Sequence, residues 1–459
     1  MRRIVTLSGI RCRLWCWRLF WSLLSVSTPI ICADAKPVSF QHEIVPLLQQ
    51  FCWGCHRPGK EKGGIDLTSY GALVKGGKHG PGIQVGHPDQ SRLVEEISGT
   101  DPSMPKEGEH LSAQEVSLIE RWIREGAQDD TTAASRESRS APIYRAAPII
   151  PSIAYSPMGP WLAVAGRGEV LIFNATNFLL TARLVGEARR IESIRFSPDG
   201  RKLAISGGQP GQWGEIQIWD VAAGTQLHAY RSTFDSVYGV DWSPDQTRIA
   251  FGASDRTARV IEVETGREVL KFDQHTDWVF GTAFLRDGQR LVSGSRDKSL
   301  RLVDISTGKL LETINRESET IRCLVRHPLE DWVLIGTDVR PRLYKAEVKK
   351  EHSDPNDDSN QLREFEHFDG GVTALAFSPD GQWIASSGSP AGEVRVYDAV
   401  STSRKATLRE HQGMVFALAF SPDGSQVATA GFEGIVRVFD WAKERLVTNF
   451  IPVEISCSK

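Results

Sequence analysis

The chain has 459 residues, of which 40% are hydrophobic, and its 54 Lys and Arg nearly balance its 57 Asp and Glu, for a formal net charge of -3. This length allows two or three domains of ~150 residues and excludes a small disulfide-stapled protein. The near-neutral charge removes the electrostatic basis for polyanion binding, so we expect no nucleic-acid partner.

The first 35 residues have the pattern of a signal peptide. Five Arg precede an apolar stretch from Leu19 to about Val26, and Ala33-Asp34-Ala35 places small residues where a signal peptidase reads them. The pattern predicts cleavage after Ala35 and export to the periplasm or cell surface. The apolar stretch is shorter than the ~20 residues of a membrane span, so we expect a soluble mature protein without a stable transmembrane segment. An uncleaved anchor is the alternative.

A compact cysteine motif follows. Cys52-Trp53-Gly54-Cys55-His56 has the spacing at which two thiols form thioethers to haem vinyl groups while the adjacent imidazole reaches the iron. It predicts one covalent haem c, with Cys52 and Cys55 as attachment points and His56 as the proximal metal ligand. A redox dithiol and half of a zinc site are the alternatives, but the segment lacks a βαβ pattern and a second cysteine pair.

The second iron ligand is predicted to be Met104, the only methionine between residues 36 and 150. It lies between two prolines in Asp101-Pro102-Ser103-Met104-Pro105-Lys106, which stiffen an extended loop. A thioether opposite histidine favours ferrous iron and raises the reduction potential. An exposed loop methionine is the alternative, and the rival ligands, which we expect to be solvated instead, are His42, His79, His87 and His110.

A helix is predicted after this loop. Ser112 and Glu115 form a capping-box pattern, and Gly126 is suited to end the helix. Its apolar face carries Val116, Ile119, Trp122 and Ile123. We expect that face to pack on the haem core or on a helix near Pro46 to Gln50.

These features together resemble the planctomycete-type cytochrome c domain, over roughly residues 38 to 128. The similarity is carried by Val45-Pro46-Leu47-Leu48, the Cys52 to His56 motif, Gly76-Gly77, Gly86 to Ser91, Met104-Pro105 and Glu120 to Ala127. The resemblance implies a mostly α-helical domain at residues 36–130 with one haem, thioether bonds at Cys52 and Cys55, His56 proximal and Met104 distal. His87 departs from the Asp expected after this Gly. The small and polar residues 131–145 are read as a linker.

The remainder of the chain is repetitive. A turn motif of the type Phe-Ser-Pro-Asp-Gly occurs seven times, at intervals of 41 to 51 residues, close to the ~40 to 45 residues of a four-stranded propeller blade. Each turn joins an alternating apolar strand, such as Val415 to Phe420, to a small-residue strand, such as Val427 to Gly431, and a third strand follows.

The copies resemble WD repeats, which implies an all-β propeller at residues 146–452, followed by a tail at 453–459. Seven blades are predicted, with six or eight as alternatives, and the first and fifth copies are the weakest. His275, Ser293 and Asp297 match the hydrogen-bond network of this family, although Val303 replaces its Trp. The ring is expected to close through residues near Ile143 to Ala147 or through Leu446 to Phe450.

Two further features of the propeller region carry expectations. Within the insertion Glu347 to Glu366, the segment Asp354 to Ser359 lacks the Gly and terminal Glu of a calcium loop, so a solvated acidic loop is expected. Cys323 is expected to be a buried thiol and Cys457 a tail thiol, with a disulfide between them as the alternative.

The sequence therefore predicts an exported electron carrier rather than a catalyst, with no catalytic residues assigned. The haem exchanges single electrons with a redox partner protein, and the propeller serves as the protein-interaction platform. A haem-containing subunit of a redox enzyme is one alternative. A scaffold or sensor protein with a haem domain is the other.

Overall fold

A computed structural model describes residues 37–57, 60–106, 108–130, 141–315, 318–349 and 358–456. The predicted signal peptide lies outside these ranges. The chain divides into two compact units, Met1–Thr131 and Thr132–Lys459. Within the ranges just given, no helix is both long and apolar enough to cross a membrane.

The first unit contains short helices and one small hairpin. A π-helical turn, Phe40–Ile44, leads into helix α1, Val45–Phe51, and the hairpin β1–β2 is formed by His56–Arg57 and Lys60–Glu61. The other helices are α2 (Tyr70–Lys75), α3 (Arg92–Ile97) and α4 (Ala113–Arg124), with 3-10 turns at Lys62–Gly64 and Pro88–Gln90.

Helix α4 begins and packs largely as its sequence predicts. Ser112 and Glu115 form the reciprocal capping box, and Gly126, just beyond the helix, has a positive φ of 101°. Trp122 is fully buried, stacking on Phe40 at 5.1 Å between ring centroids and meeting Tyr70 edge-on at 6.3 Å. The aromatic partners of the apolar face are thus Phe40, one turn before α1, and Tyr70 of α2, whose rings cover the large indole. Packing of this face on the haem core stays a prediction.

The second unit consists of seven four-stranded antiparallel sheets, each formed by four consecutive strands, which confirms the predicted seven-bladed propeller. Numbered β3 to β30 in chain order, the strands of blades 1 to 3 are Ile153–Tyr155, Trp161–Ala165, Glu169–Asn174 and Leu180–Val185; Arg190–Phe196, Lys202–Gln209, Trp213–Asp220 and Thr225–Thr233; and Val237–Trp242, Arg248–Ala253, Ala258–Glu262 and Glu268–Phe272.

The four later blades have the same plan. Their strands are Val279–Phe284, Arg290–Ser295, Leu300–Asp304 and Leu310–Thr313; Ile321–Arg326, Trp332–Thr337, Pro341–Lys345 and Gln361–Glu364; Ala374–Phe377, Trp383–Ser387, Val394–Asp398 and Arg404–Leu408; and Val415–Phe420, Gln426–Gly431, Val436–Asp440 and Arg445–Phe450.

The repeated turn connects the first and second strands of a blade. In blade 2, the Ser197 hydroxyl donates to the Asp199 carboxylate at 2.6 Å and accepts from the Lys202 amide at 2.9 Å, while Gly200 takes a φ of 71°. Ser and Asp thus satisfy the turn backbone, and Gly supplies the left-handed conformation. This chemistry explains why the motif recurs between the first and second strands of the blades.

Blade 5 uses a different turn. The Nδ1 of His327 accepts from the amides of Leu329 and Glu330 at 3.1 and 3.0 Å, so a neutral imidazole replaces the usual serine. The end of the insertion forms the outer strand Gln361–Glu364 and is followed by the buried Phe365. Of the segment predicted to be a solvated acidic loop, Asp354 to Asp357 lie outside the described residues, so this expectation stays a prediction.

The two ends of the propeller are joined beside blade 1. Tyr144 forms a parallel bridge with Ile455, and the Ser456 amide donates to the Tyr144 carbonyl at 2.9 Å. Strand Arg445–Phe450 is the outermost strand of its own sheet. Of the two predicted routes of closure, the structure therefore uses the one near Ile143 to Ala147.

Candidate functional site

The predicted attachment motif coils directly after helix α1. The Cys52 amide donates to the Leu48 carbonyl at 2.9 Å, and the amides of Cys55 and His56 both donate to the Cys52 carbonyl at 3.1 Å. The backbone therefore continues for one more turn beyond the helix. This turn brings the backbones of Cys52, Cys55 and His56 close together in space.

Trp53 anchors the motif to the rest of the unit. Its indole is buried, and Nε1 donates to the Leu67 carbonyl at 2.8 Å. The Leu67 amide in turn donates to the His56 carbonyl at 3.0 Å. These bonds fix both sides of the loop, which is what a site that must hold a rigid planar group requires.

The two thiols are free and partly buried. Burial raises the pKa of Cys52 to about 12. Reactive dithiols instead have lowered thiol pKa values and commonly lie at helix N-termini, whereas this motif follows the C-terminus of α1, where the helix dipole opposes a thiolate. The environment of Cys52 thus favours the neutral thiol over the thiolate, which argues against a reactive redox dithiol.

The imidazole of His56 contains an atom that the chain does not satisfy. In the part of the chain that the structure describes, its Nδ1 is buried and has no hydrogen-bond partner. Leaving such a group unpaired costs about 1–3 kcal/mol. A buried ring nitrogen without a protein partner fits a residue whose role is to meet a group from outside the chain, so the donor set is compatible with haem.

Met104 is held by a different element. Its amide donates to the Glu96 carbonyl in helix α3 at 2.9 Å, and its side chain is half-buried. The motif is instead bonded to α1 and to Leu67, so the two halves of the predicted ligand set depend on separate elements. His110 places Nδ1 3.4 Å from the Met104 carbonyl oxygen.

The rival histidines are placed as follows. His79, His87 and His110 are exposed, and the His42 side chain lies outside the description. Among the residues that the structure describes, no three His, Cys, Asp or Glu side chains form a group that could hold one metal ion. A c-type haem needs only His56 from these residue types at its iron.

In the propeller, the hydrogen-bond network of blade 4 confirms the prediction. His275 lies 2.9 Å from Asp297 through Nδ1 and 2.8 Å from Ser293 through Nε2. All three side chains are strongly buried, and they bind the loop before the blade to its second strand. The network stabilises the fold and leaves no group free for catalysis.

Blade 7 contains a second network that the sequence analysis missed. His411 lies 3.0 Å from Glu433 through Nδ1 and 2.7 Å from Thr429 through Nε2. Its separations of 18 and 22 residues equal those of the blade 4 network, so spacing was the available signal. Thr and Glu replace Ser and Asp, which hid the match.

Seven meander blades, their Ser-Pro-Asp-Gly turns and these buried histidine networks define a WD-repeat β-propeller. A family model described as "WD domain, G-beta repeat" matches residues 179–220, 224–262, 266–304, 359–398 and 402–440. Each match spans the outer strand of one blade and the three inner strands of the next. The unmatched copies are the first and fifth, yet both form complete blades.

The first unit has its own match. A family model described as "Planctomycete cytochrome C" matches residues 52–108, beginning at the first cysteine of the motif. The chain therefore joins a region of the planctomycete cytochrome c family to a WD-repeat β-propeller.

Curated relatives match short stretches only. WD repeat-containing protein 1 from Xenopus tropicalis is 26% identical over 129 residues, which is 27% of this chain and 21% of that protein. An uncharacterized WD repeat-containing protein from Synechocystis is 28% identical over 102 residues, or 22% of this chain and 28% of its own length. One from Deinococcus radiodurans is 34% identical over 83 residues, with shares of 18% and 27%. The chain thus spans between 21% and 28% of these relatives.

Proposed function

We propose that residues 36–130 form a mostly α-helical c-type cytochrome domain and that the protein is an exported single-electron carrier. One haem c is attached through Cys52 and Cys55, with His56 and Met104 as its axial ligands. The WD-repeat propeller serves as the platform that binds a redox partner protein.

The observation that carries this proposal is the coincidence of motif, environment and family match at one place. The cytochrome family match starts at Cys52, and the motif is rigidly held by Trp53. The raised pKa of Cys52 disfavours a reactive dithiol, and the unpartnered Nδ1 of His56 is compatible with a group from outside the chain.

Each residue has a distinct task in this account. A bound haem c supplies a one-electron couple. Cys52 and Cys55 would fix its position covalently, and His56 and Met104 would hold its iron. With the Met104 thioether as a ligand, substrate would not reach the metal, which is the reason for proposing electron transfer rather than catalysis at iron.

Exposed lysines near the motif support a protein partner with an acidic surface. Lys62, whose amide donates to the Cys55 carbonyl at 3.2 Å, is exposed, and so is Lys78, whose amide donates to the Gly63 carbonyl at 3.1 Å. Exposed charges of one sign steer encounter with an opposite surface, and salt weakens that steering. Electron transfer to an acidic partner should therefore slow as ionic strength rises.

The test is ligand binding to the haem protein purified from a host that matures c-type cytochromes. An electron carrier with both axial ligands from the protein should show a methionine-to-iron absorption band and a reduced spectrum that carbon monoxide does not change. Rapid carbon monoxide binding by the unaltered protein would contradict the proposal and favour an enzyme or a sensor.

A further inference from the structure

The first unit leaves three buried side-chain polar atoms without a partner in the part that the structure describes. They are Gln49 Nε2, His56 Nδ1 and Ser98 Oγ. Nearly all buried polar groups of native proteins are hydrogen-bonded, so each exception calls for an explanation. Two of the three belong to helix α1 and the cysteine motif, and Ser98 directly follows helix α3, which accepts a bond from the Met104 amide. The unpaired atoms thus lie on the segments that carry the proposed haem ligands.

Gln49 differs from the other two because its unpaired atom can only donate. The amide nitrogen of glutamine carries two N–H groups and accepts no hydrogen bond, whereas a hydroxyl or an imidazole nitrogen can do either. The missing partner of Gln49 must therefore be an acceptor. An ionised acceptor such as a carboxylate forms a shorter and stronger bond with an N–H group than a neutral acceptor does.

The helix places Gln49 on the same side as the first cysteine of the motif. Gln49 lies in α1, three residues before Cys52, and the bond from the Cys52 amide to the Leu48 carbonyl, at 2.9 Å, extends the helical pattern to this cysteine. Residues three apart share a helix face, with about 5–6 Å between their Cβ atoms. The next residue, Gln50, is exposed instead. The unpaired amide thus shares its face with the proposed attachment sulfur.

We propose that the Gln49 side chain donates a hydrogen bond to a propionate carboxylate of the haem, an inference that rests on the proposed function. The rim of a haem c is apolar except for two propionates, and its ring nitrogens are taken by the iron. The carboxylates are therefore the acceptors that the group itself offers. A carboxylate that is drawn out of water needs donors, and a buried amide needs an acceptor, so each group satisfies the other.

This hydrogen bond changes the reduction potential in a defined direction. The negative charge of a propionate favours the more positive ferric iron, and a donor to the carboxylate offsets part of that charge. Loss of the donor should therefore lower the potential, and a positive charge at the same position should raise it.

Two substitutions of Gln49 in the haem-loaded full chain test the proposal. Gln49→Leu removes the donor, so it should lower the potential and shift the propionate bending band of the resonance Raman spectrum, which reports on the haem alone. Gln49→Lys keeps an N–H donor and adds a charge, so it should raise the potential. Gln50→Leu and Gln50→Lys are the matched controls, because the same residue type is exposed there on the same helix. Water and salt screen a charge at that position, so both measurements should stay close to those of the unaltered protein.

The contrary outcomes are distinct. A propionate band that is the same in Gln49→Leu as in the unaltered protein would overturn the inference even if the potential falls, because the acceptor would then be another group, such as the Cys52 thioether. Equal shifts in the Gln50 variants would overturn it as well. Failure of the proposed function is seen separately, in an unaltered chain that gains no covalent haem mass.

Discussion

The imidazole of His411 lies with Nδ1 3.0 Å from the Glu433 carboxylate, and the His411 side chain is almost completely buried. Burial lowers the pKa of His411 to about 4, the neighbouring Arg437 lowers it as well, and Glu433 opposes both. The histidine is therefore neutral in the folded blade at neutral pH. Its two ring nitrogens connect the loop before blade 7 to the second strand and to the turn that follows it.

This relationship predicts acid sensitivity of the propeller. The folded pKa lies below the ~6.5 of the unfolded chain, so as the pH falls the unfolded state binds a proton first. The contribution of His411 is complete above about pH 6.5 and is lost as the pH falls towards 4, by at most ~3 kcal/mol. Urea denaturation between pH 7 and 4.5 measures it.

The pH dependence should be weaker in His411→Leu, which has no group to protonate. His367→Gln is the control, because His367 is half exposed on the same propeller. An unchanged pH dependence in His411→Leu would show that other groups cause the acid sensitivity.

The Tyr144 hydroxyl should contribute measurably to the stability of the propeller. The Tyr144 hydroxyl donates to Glu169 at 2.8 Å, and the Glu169 side chain is fully buried. Tyr144→Phe removes a bond to a buried carboxylate, so the free energy of unfolding should fall by about 1–3 kcal/mol. In Tyr238→Phe, the matched loss of a phenol from an inner strand, we expect less than ~0.5 kcal/mol. Equal effects of the two substitutions would contradict this role for Tyr144.

The capping box of α4 offers a test of the first unit. Ser112→Ala removes the hydroxyl that accepts from the Glu115 amide, which should lower the unfolding free energy by about 1 kcal/mol. Ser112→Asp retains an acceptor at the N-cap and should restore most of the loss. Hydrogen exchange of the α4 amides measures both variants, and identical stabilities for Ala and Asp would argue against the cap.

Replacement of Met104 tests the distal ligand. In Met104→Ala the proposed sixth position opens, so the reduced protein should bind carbon monoxide, lose its methionine-to-iron band and show a lower reduction potential. His110→Ala is the matched control, since His110 is exposed beside the same loop. A visible spectrum that changes only in the His110 variant would reassign the ligand.

Much of the propeller could be predicted because its turns depend on local chemistry. Where Ser, Asp and Gly are present they satisfy the turn within a few residues, as Ser197 and Asp199 show, so these copies are recognisable from the sequence. The His275 network was recognisable for the same reason. The His411 network was missed because Thr429 and Glu433 change the residue types while keeping the spacing.

Other features depend on contacts that no short motif encodes. The bridge of Tyr144 with Ile455 joins residues from opposite ends of the propeller at a single pair, so the sequence offered two routes of closure without a means to choose. The stacking of Phe40 on Trp122 is likewise a packing outcome, whereas the amphipathic face of α4 and its cap were visible. Attachment of haem at Cys52 and Cys55 remains a prediction.

The most direct measurement is the mass of the fully unfolded polypeptide made in a host that matures c-type cytochromes. We predict a mass increase of one haem that survives denaturation and acid extraction and is abolished by Cys52→Ser with Cys55→Ser, while Cys323→Ser, which alters a propeller thiol, retains it. A polypeptide that releases all its haem on acid extraction, or that gains no haem mass in such a host, would contradict the account.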